Sequence, residues 1–167
     1  MHYQLPLQGK SQYEASISPN YRNSACGPTT VHVILQYLGV TSPSINQLYE
    51  VLGSTKIGLF KWCLIHNLRK LFPTWDIRTC TLKEAMREID AGRPVAMRFD
   101  RYFSFQWRDK KPAYAYHWVP LIGYEIQQDE LSLIFHDNGG RNRESEIRIV
   151  SYKDHVKVLS FVKITPK

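Results

Sequence analysis

Nowhere in the 167-residue sequence do about 18 apolar residues follow one another, so a membrane-spanning helix is not expected. Met1 to Lys10 holds no apolar run able to form the core of an export signal. The expectation is a cytoplasmic chain without a membrane segment, the alternative being the mature part of a longer exported precursor. Cysteine is scarce. Cys26, Cys63 and Cys80 are the only three, an odd number that leaves at least one thiol unpaired, which argues against a disulfide scaffold and fits a reducing compartment. Cys63-x-x-His66 is half of a zinc pattern, but both residues fall in a predicted helix and Cys80 is the only further sulfur. No metal and no cofactor are expected. Acidic residues are outnumbered, 15 against 22 Lys and Arg, giving a formal charge of +7. The basic residues are scattered, with Arg69-Lys70, Arg108 to Lys111 and Arg141 to Arg148 as the closest groupings, the last diluted by Glu144 and Glu146. No nucleic-acid-binding motif accompanies them, so they read as a solvated basic surface and nucleic acid is not an expected partner.

Repeats and low-complexity segments are missing too, which leaves one packed domain over residues 1–167, within the range of roughly 100 to 200 residues usual for a domain. A content of 43% hydrophobic and 13% aromatic residues is enough for a core. Residues 1–20 lack periodicity and read as an extended lead-in. A helix is predicted from Pro28 to Leu38, where Val31, Ile34, Leu35 and Leu38 form one stripe and Gly39 suits the stop. Further helices are predicted over Ser44 to Leu52, Leu59 to Phe72 and Leu82 to Ala91, the last opened by a Thr81/Glu84 capping box. After Arg93 the pattern becomes β-rich, with strands at Pro94 to Phe99, Trp118 to Ile126, Leu131 to Asp137, Glu146 to Val150 and Leu159 to Ile164, and a hairpin turn at Gln127 to Glu130. A mainly helical 21–92 followed by a mainly antiparallel 93–167 is an α+β layout.

Cys26, in Ala25-Cys26-Gly27-Pro28-Thr29-Thr30, stands at the start of the first helix. Partial positive charge and free N–H groups at a helix N-terminus favour a thiolate, and the Cys26 backbone N–H is itself a candidate oxyanion donor. His117, in Tyr116-His117-Trp118-Val119-Pro120-Leu121-Ile122-Gly123-Tyr124, stands at the entry to the strand predicted from Trp118, from which an imidazole can reach a helix terminus as general base. Asp137, in Phe135-His136-Asp137-Asn138-Gly139-Gly140, ends the next strand and is placed to hold the other imidazole nitrogen. His32, six residues after Cys26, is expected to face away from it, and His136 to point to the sheet face opposite Asp137.

The Cys-Gly-Pro-Thr helix start, the Gly92-Arg93-Pro94-Val95 strand entry, the His-Trp-Val-Pro-Leu-Ile-Gly-Tyr strand and the Asp-Asn-Gly-Gly turn together resemble the papain-like cysteine peptidases of bacteria. The branch most similar is that of the bacteriocin-processing peptidases, which cut leaders after a double glycine. The resemblance spans about residues 20 to 165 and includes a late short helix over 151–158. It implies a papain-like fold, a peptide or protein substrate, Cys26 as nucleophile, His117 as general base and Asp137 as orienting acid. Such peptidases carry a glutamine six residues before the nucleophile, where this sequence has Asn20. Asn20 is the expected second oxyanion donor on spacing, with Gln12 as the alternative through a loop excursion. Trp118, together with Tyr102, Phe103, Phe105 and Trp107 from the aromatic and basic stretch before His117, are candidate peptide contacts. The same triad also suits an amidase or acyltransferase, and the missing glutamine leaves open an idle peptide-binding domain.

Overall fold

A computed structural model describes residues 1–102 and 114–167. Among them the chain runs β1 (His2–Gln4), α1 (Cys26–Tyr37), α2 (Ile45–Val51), α3 (Lys61–Leu71), β2 (Asp76–Cys80), α4 (Leu82–Asp90), β3 (Val95–Asp100), β4 (Tyr116–Gln127), β5 (Glu130–His136), β6 (Ile147–Ser151), α5 (Tyr152–His155) and β7 (Leu159–Thr165). A 3-10 turn over Arg22–Ser24 leads into α1. The strands form one sheet in the order β2-β7-β3-β4-β5-β6, with β1 joining β4, and every pairing is antiparallel. The architecture is α+β, with the helices mostly N-terminal. None of the described helices is long and apolar enough to cross a membrane.

Local chemistry sets most of these boundaries. Ser44 and Gln47 form a reciprocal capping box on α2, and Thr81 and Glu84 do the same on α4, each satisfying backbone donors that the first helical turn leaves free. At the β4–β5 hairpin, Gln128 (φ 50°) and Asp129 (φ 64°) both take left-handed conformations, so the connection twists with its strands. Two strands escape the sequence pattern. All of β1 is exposed, and only Ile77 and Cys80 of β2 are buried, so neither offers the alternation by which a strand is read. Backbone pairing, of β1 with β4 and of β2 with β7, makes them strands. The lead-in is therefore partly sheet, and the helical half is interrupted by an edge strand.

The core divides by the two faces of the sheet. Along β3, Val95, Met97 and Phe99 join Val119 and Leu121 of β4 and pack with Ala85 and Ile89 of α4. Ala96, Trp118, Val162 and Ile164 face the other way, onto Val31, Ile34 and Leu35 of α1, Leu48 of α2, and Leu64 and Leu68 of α3. From Cys26 to Leu35 every residue of α1 is buried. The helix N-terminus is therefore fixed by packing on all sides. At Gly27 a β-carbon would lie 2.8 Å from the Leu59 side chain, so this position tolerates no side chain without moving the 59 loop.

Candidate active site

Cys26 is the first residue of α1 and only 5% exposed. Burial pushes its thiol pKa up, while backbone N–H groups of Trp118, Gly27 and Cys26 itself pull it back down. The amide joining His117 to Trp118 thus faces the sulfur, bringing the start of β4 against the start of α1. The Leu59 carbonyl holds the two together. It accepts hydrogen bonds from the Tyr116 hydroxyl and, at 2.8 Å, from the Trp118 indole N–H, while the Leu59 side chain rests on Gly27.

His117 is half-buried, against Tyr114, whose ring centroid lies 4.5 Å away. Burial pushes the His117 pKa down to about 4, opposed by the negative charge of Asp137. The imidazole makes no hydrogen bond among the described residues. At neutral pH both Cys26 and His117 therefore rest uncharged.

Asp137 follows β5 and is 1% exposed. Its Oδ1 accepts the backbone N–H groups of Gly139 (3.1 Å) and Glu146 (2.9 Å), and its Oδ2 meets Arg143 Nη2 (2.9 Å) and Arg148 Nε (3.1 Å). Burial would raise its pKa, but Arg143, the Glu146 N–H, Arg148 and the Gly139 N–H outweigh it and hold the carboxyl below the usual range. The carboxylate is charged and fully bonded, and it reaches His117 through its field. Asn138, also 1% exposed, does the bridging. Its Nδ2 lies 3.1 Å from the Cys26 carbonyl, 3.2 Å from Thr30 Oγ1 and 2.6 Å from the Trp118 carbonyl. One amide thus ties the helix that begins at Cys26 to the strand that carries His117.

The profile of the Peptidase_C39 like family matches residues 5–164, nearly the whole chain. The chain belongs to the Peptidase_C39 like family. The same fold occurs in the crystal structure of the peptidase domain of Streptococcus ComA, a bi-functional ABC transporter involved in a quorum sensing pathway, at 17% identity, a TM-score of 0.56 and 99% coverage of each chain. No curated protein matches.

Within this C39-like fold the remaining sequence candidates fall in different places. Asn20 is exposed, in a turn closed by Tyr21 N–H to Ser18 C=O at 2.9 Å. Gln12 is 4% exposed, and its backbone N–H donates to the Asn138 carbonyl (2.9 Å). Its side-chain Nε2 donates to the Arg22 carbonyl (2.6 Å), and its Oε1 has no partner among the described residues. Trp118, a candidate peptide contact, is instead 0% exposed with its N–H spent on Leu59, because it turns toward α1 while its neighbour Val119 faces the other side of the sheet. Tyr102 is exposed. Phe103, Phe105 and Trp107 lie outside the described residues. His32 hydrogen-bonds Ser42 Oγ and the Pro43 carbonyl at 3.0 Å each, His136 lies 3.1 Å from Ser145 Oγ, and His66 is exposed. Sequence reasoning did not assign Tyr114, Thr30, Arg143 or Arg148 to the site. The arginines sit in the Arg141 to Arg148 group, where the only signal was their nearness to Asp137.

Proposed function

We propose that the chain is a cysteine peptidase in which Cys26 attacks the scissile carbonyl and His117 moves the proton. The observation that carries this reading is the placement of the Cys26 sulfur at a helix N-terminus, facing the amide that follows His117. Burial disfavours each charged form separately, so the resting pair is neutral. On attack the thiol proton passes to the imidazole, and the thiolate forms beside α1's free N–H groups. The imidazolium is stabilised by the ionised Asp137. The sulfur bonds to the carbonyl carbon, the imidazolium protonates the departing amine, and a thioester remains. Water, deprotonated by His117, then attacks the thioester carbon, the C–S bond breaks, and the imidazolium returns the proton to the departing Cys26 sulfur, restoring the neutral pair.

The carbonyl oxygen becomes an oxyanion in both halves of this cycle. The Cys26 backbone N–H is one donor, and we assign the other to the Gln12 side-chain amide rather than to Asn20. Gln12 is buried and joined to the site through Asn138, whereas Asn20 is in an exposed turn. One Gln12 N–H already bonds Arg22, which orients the amide and leaves the second N–H for substrate.

The test is cleavage of a peptide mixture read by mass spectrometry, with Cys26→Ala and His117→Ala proteins in parallel. Each substitution is expected to lower turnover by at least about 10⁴-fold while circular dichroism stays unchanged. Cleavage at the wild-type rate by Cys26→Ala protein would overturn the assignment. Products carrying an added amine instead of water would mark a transferase built on the same residues.

A further inference from the structure

The segments that flank the site also wall a cationic cavity that the chemistry above does not use. It has a volume of about 320 Å³ and is lined by Tyr13, Pro19, Arg22, Asn23 and Arg141. A second cavity, of about 240 Å³, shares Tyr13 and Arg141 with it and continues toward Arg143. We propose that the first cavity receives a carboxylate of the peptide substrate, from an acidic side chain or a free C-terminus. This rests on the peptidase reading and adds to it a class of substrate.

Charge and position both support it. The two ionised groups on the wall are arginines, and no carboxylate there offsets them. The Arg22 guanidinium is steadied by neutral carbonyls, from Nε to Ile17 O at 3.0 Å and from Nη2 to Ala15 O at 3.4 Å, so its shape is fixed and its charge is not cancelled. Arg141 is exposed, with no ion pair among the described residues. The second cavity is different. There Glu14 is paired with Lys10 at 3.3 Å, Arg143 is engaged with Asp137 and Glu146, and Glu144 adds a negative charge, so the anion-accepting end is the one at Arg22. Tyr13 directly follows Gln12, Asn23 lies three residues before Cys26, and Arg141 lies three residues after Asn138. Because Gln12 bonds both the Asn138 carbonyl and the Arg22 carbonyl, this wall is anchored to the same residues that frame the nucleophile. On this proposal a peptide lying across Cys26 continues to the cavity mouth, where a planar guanidinium suits a carboxylate.

The experiment compares matched peptides. A single Glu, or its uncharged counterpart Gln, is walked along a sequence the protein cleaves, and each peptide is made with a free and an amidated C-terminus. The wild type should prefer the carboxylate form at one location by about 10-fold in KM, and the preference should shrink as salt rises. Preference for an internal Glu identifies a side chain as the source, and preference for the free C-terminus identifies the terminal carboxylate. In Arg141→Gln protein the preference should fall to about 2-fold or less, while cleavage of the neutral peptides is unchanged. Equal KM for acidic and neutral peptides, or a preference that survives Arg141→Gln and Arg22→Gln alike, overturns the proposal. Fluorescence anisotropy with Cys26→Ala protein separates this outcome from failure of the peptidase reading. If wild type cleaves nothing yet the Cys26→Ala protein binds acidic peptides in an Arg141-dependent way, the cavity assignment stands and the chemistry falls. Absence of any such binding removes the cavity assignment as well.

Discussion

Two buried polar clusters in this molecule are built on opposite terms. At Glu88, on α4, every charge finds a partner. Arg93 Nε lies 2.6 Å from Oε2, Lys163 Nζ lies 2.9 Å from Oε1, Thr165 donates at 2.9 Å, and Lys163 also reaches Asp76 at 3.1 Å. Although burial alone would raise the Glu88 pKa, these partners hold it down to about 2. The cluster binds α4 to β7 and β7 to β2. At Cys26 and His117, burial outweighs what opposes it, backbone N–H groups at the thiol and the Asp137 charge at the imidazole, leaving both groups neutral and the imidazole without a hydrogen bond among the described residues. A fully bonded charge has nothing left to give and stabilises the fold. An under-bonded thiol and imidazole are less comfortable at rest and gain most when charge develops between them.

The largest expected effect breaks the first cluster. Glu88→Ala leaves Arg93 without its carboxylate and Lys163 with Asp76 alone, and should lower unfolding free energy by about 3 kcal/mol, measured by urea denaturation. Turnover per folded molecule should be unaffected, and a loss of kcat in the folded protein would show that the two clusters are coupled. Next comes the oxyanion donor. Gln12→Ala should lower kcat by about 100- to 1,000-fold with little change in KM, whereas Asn20→Ala should stay within about 3-fold of wild type. The reverse order of the two would return the role to Asn20.

A pH titration separates the clusters by sign. The folded-state pKa of His117 is depressed from 6.5 to about 4, so the unfolded chain binds a proton first and stability falls as pH drops through that interval, by up to about 3 kcal/mol. Glu88, depressed from 4.5 to about 2, loses its contribution only as pH falls below 4.5. His32 and His136, also pushed down by burial, add to the earlier window. In His117→Gln protein the loss between pH 6.5 and 4 should shrink while the later loss persists; identical curves for both proteins would contradict the buried, neutral imidazole. The smallest effect belongs to Asp137→Asn. Removing that charge should move the acid limb of the kcat/KM profile lower by about half a pH unit, with only a partial loss of rate, because Asp137 acts on His117 through its field. An unmoved limb would leave Asp137 a purely structural anchor for Arg143 and Arg148.

Readability from sequence followed how local each signal is. Cys26 and His117 stand in short motifs on elements with strong patterns, and both elements form where the pattern puts them, α1 starting two residues before the expected Pro28 and β4 two before Trp118. The Thr81/Glu84 capping box and the β4–β5 hairpin were equally local. What failed to show was set by the rest of the fold. Spacing along the chain points to Asn20, and it could not show that Asn20 is exposed in the Ser18–Tyr21 turn while Gln12 is buried with a backbone bond to Asn138, the contrast on which our proposal of Gln12 rests. The Arg141 to Arg148 group read as solvated charge, yet Arg143 and Arg148 fold back onto the buried carboxylate of nearby Asp137. A tryptophan in a strand signals burial or binding equally well, and only the Leu59 carbonyl decides for burial.

Strand β4 draws its partners from three stretches, the adjoining hairpin strand 130–136, residues 95–100, and the far-off residues 2–4. Gly123, at its irregular centre, lets β1 lie so close that a β-carbon there would sit 2.2 Å from the Tyr3 carbonyl oxygen. Such pairing has a consequence for the order of assembly. On the ribosome β1 emerges long before β4 exists, so its backbone must wait unpaired until the strand carrying His117 has been made. Native pairing there is among the most sequence-distant in the chain and completes late in folding. A nascent chain that has made Cys26 but not β4 lacks both the imidazole and the amide that faces the sulfur, so the proposed Cys26–His117 pair is assembled only with the C-terminal half.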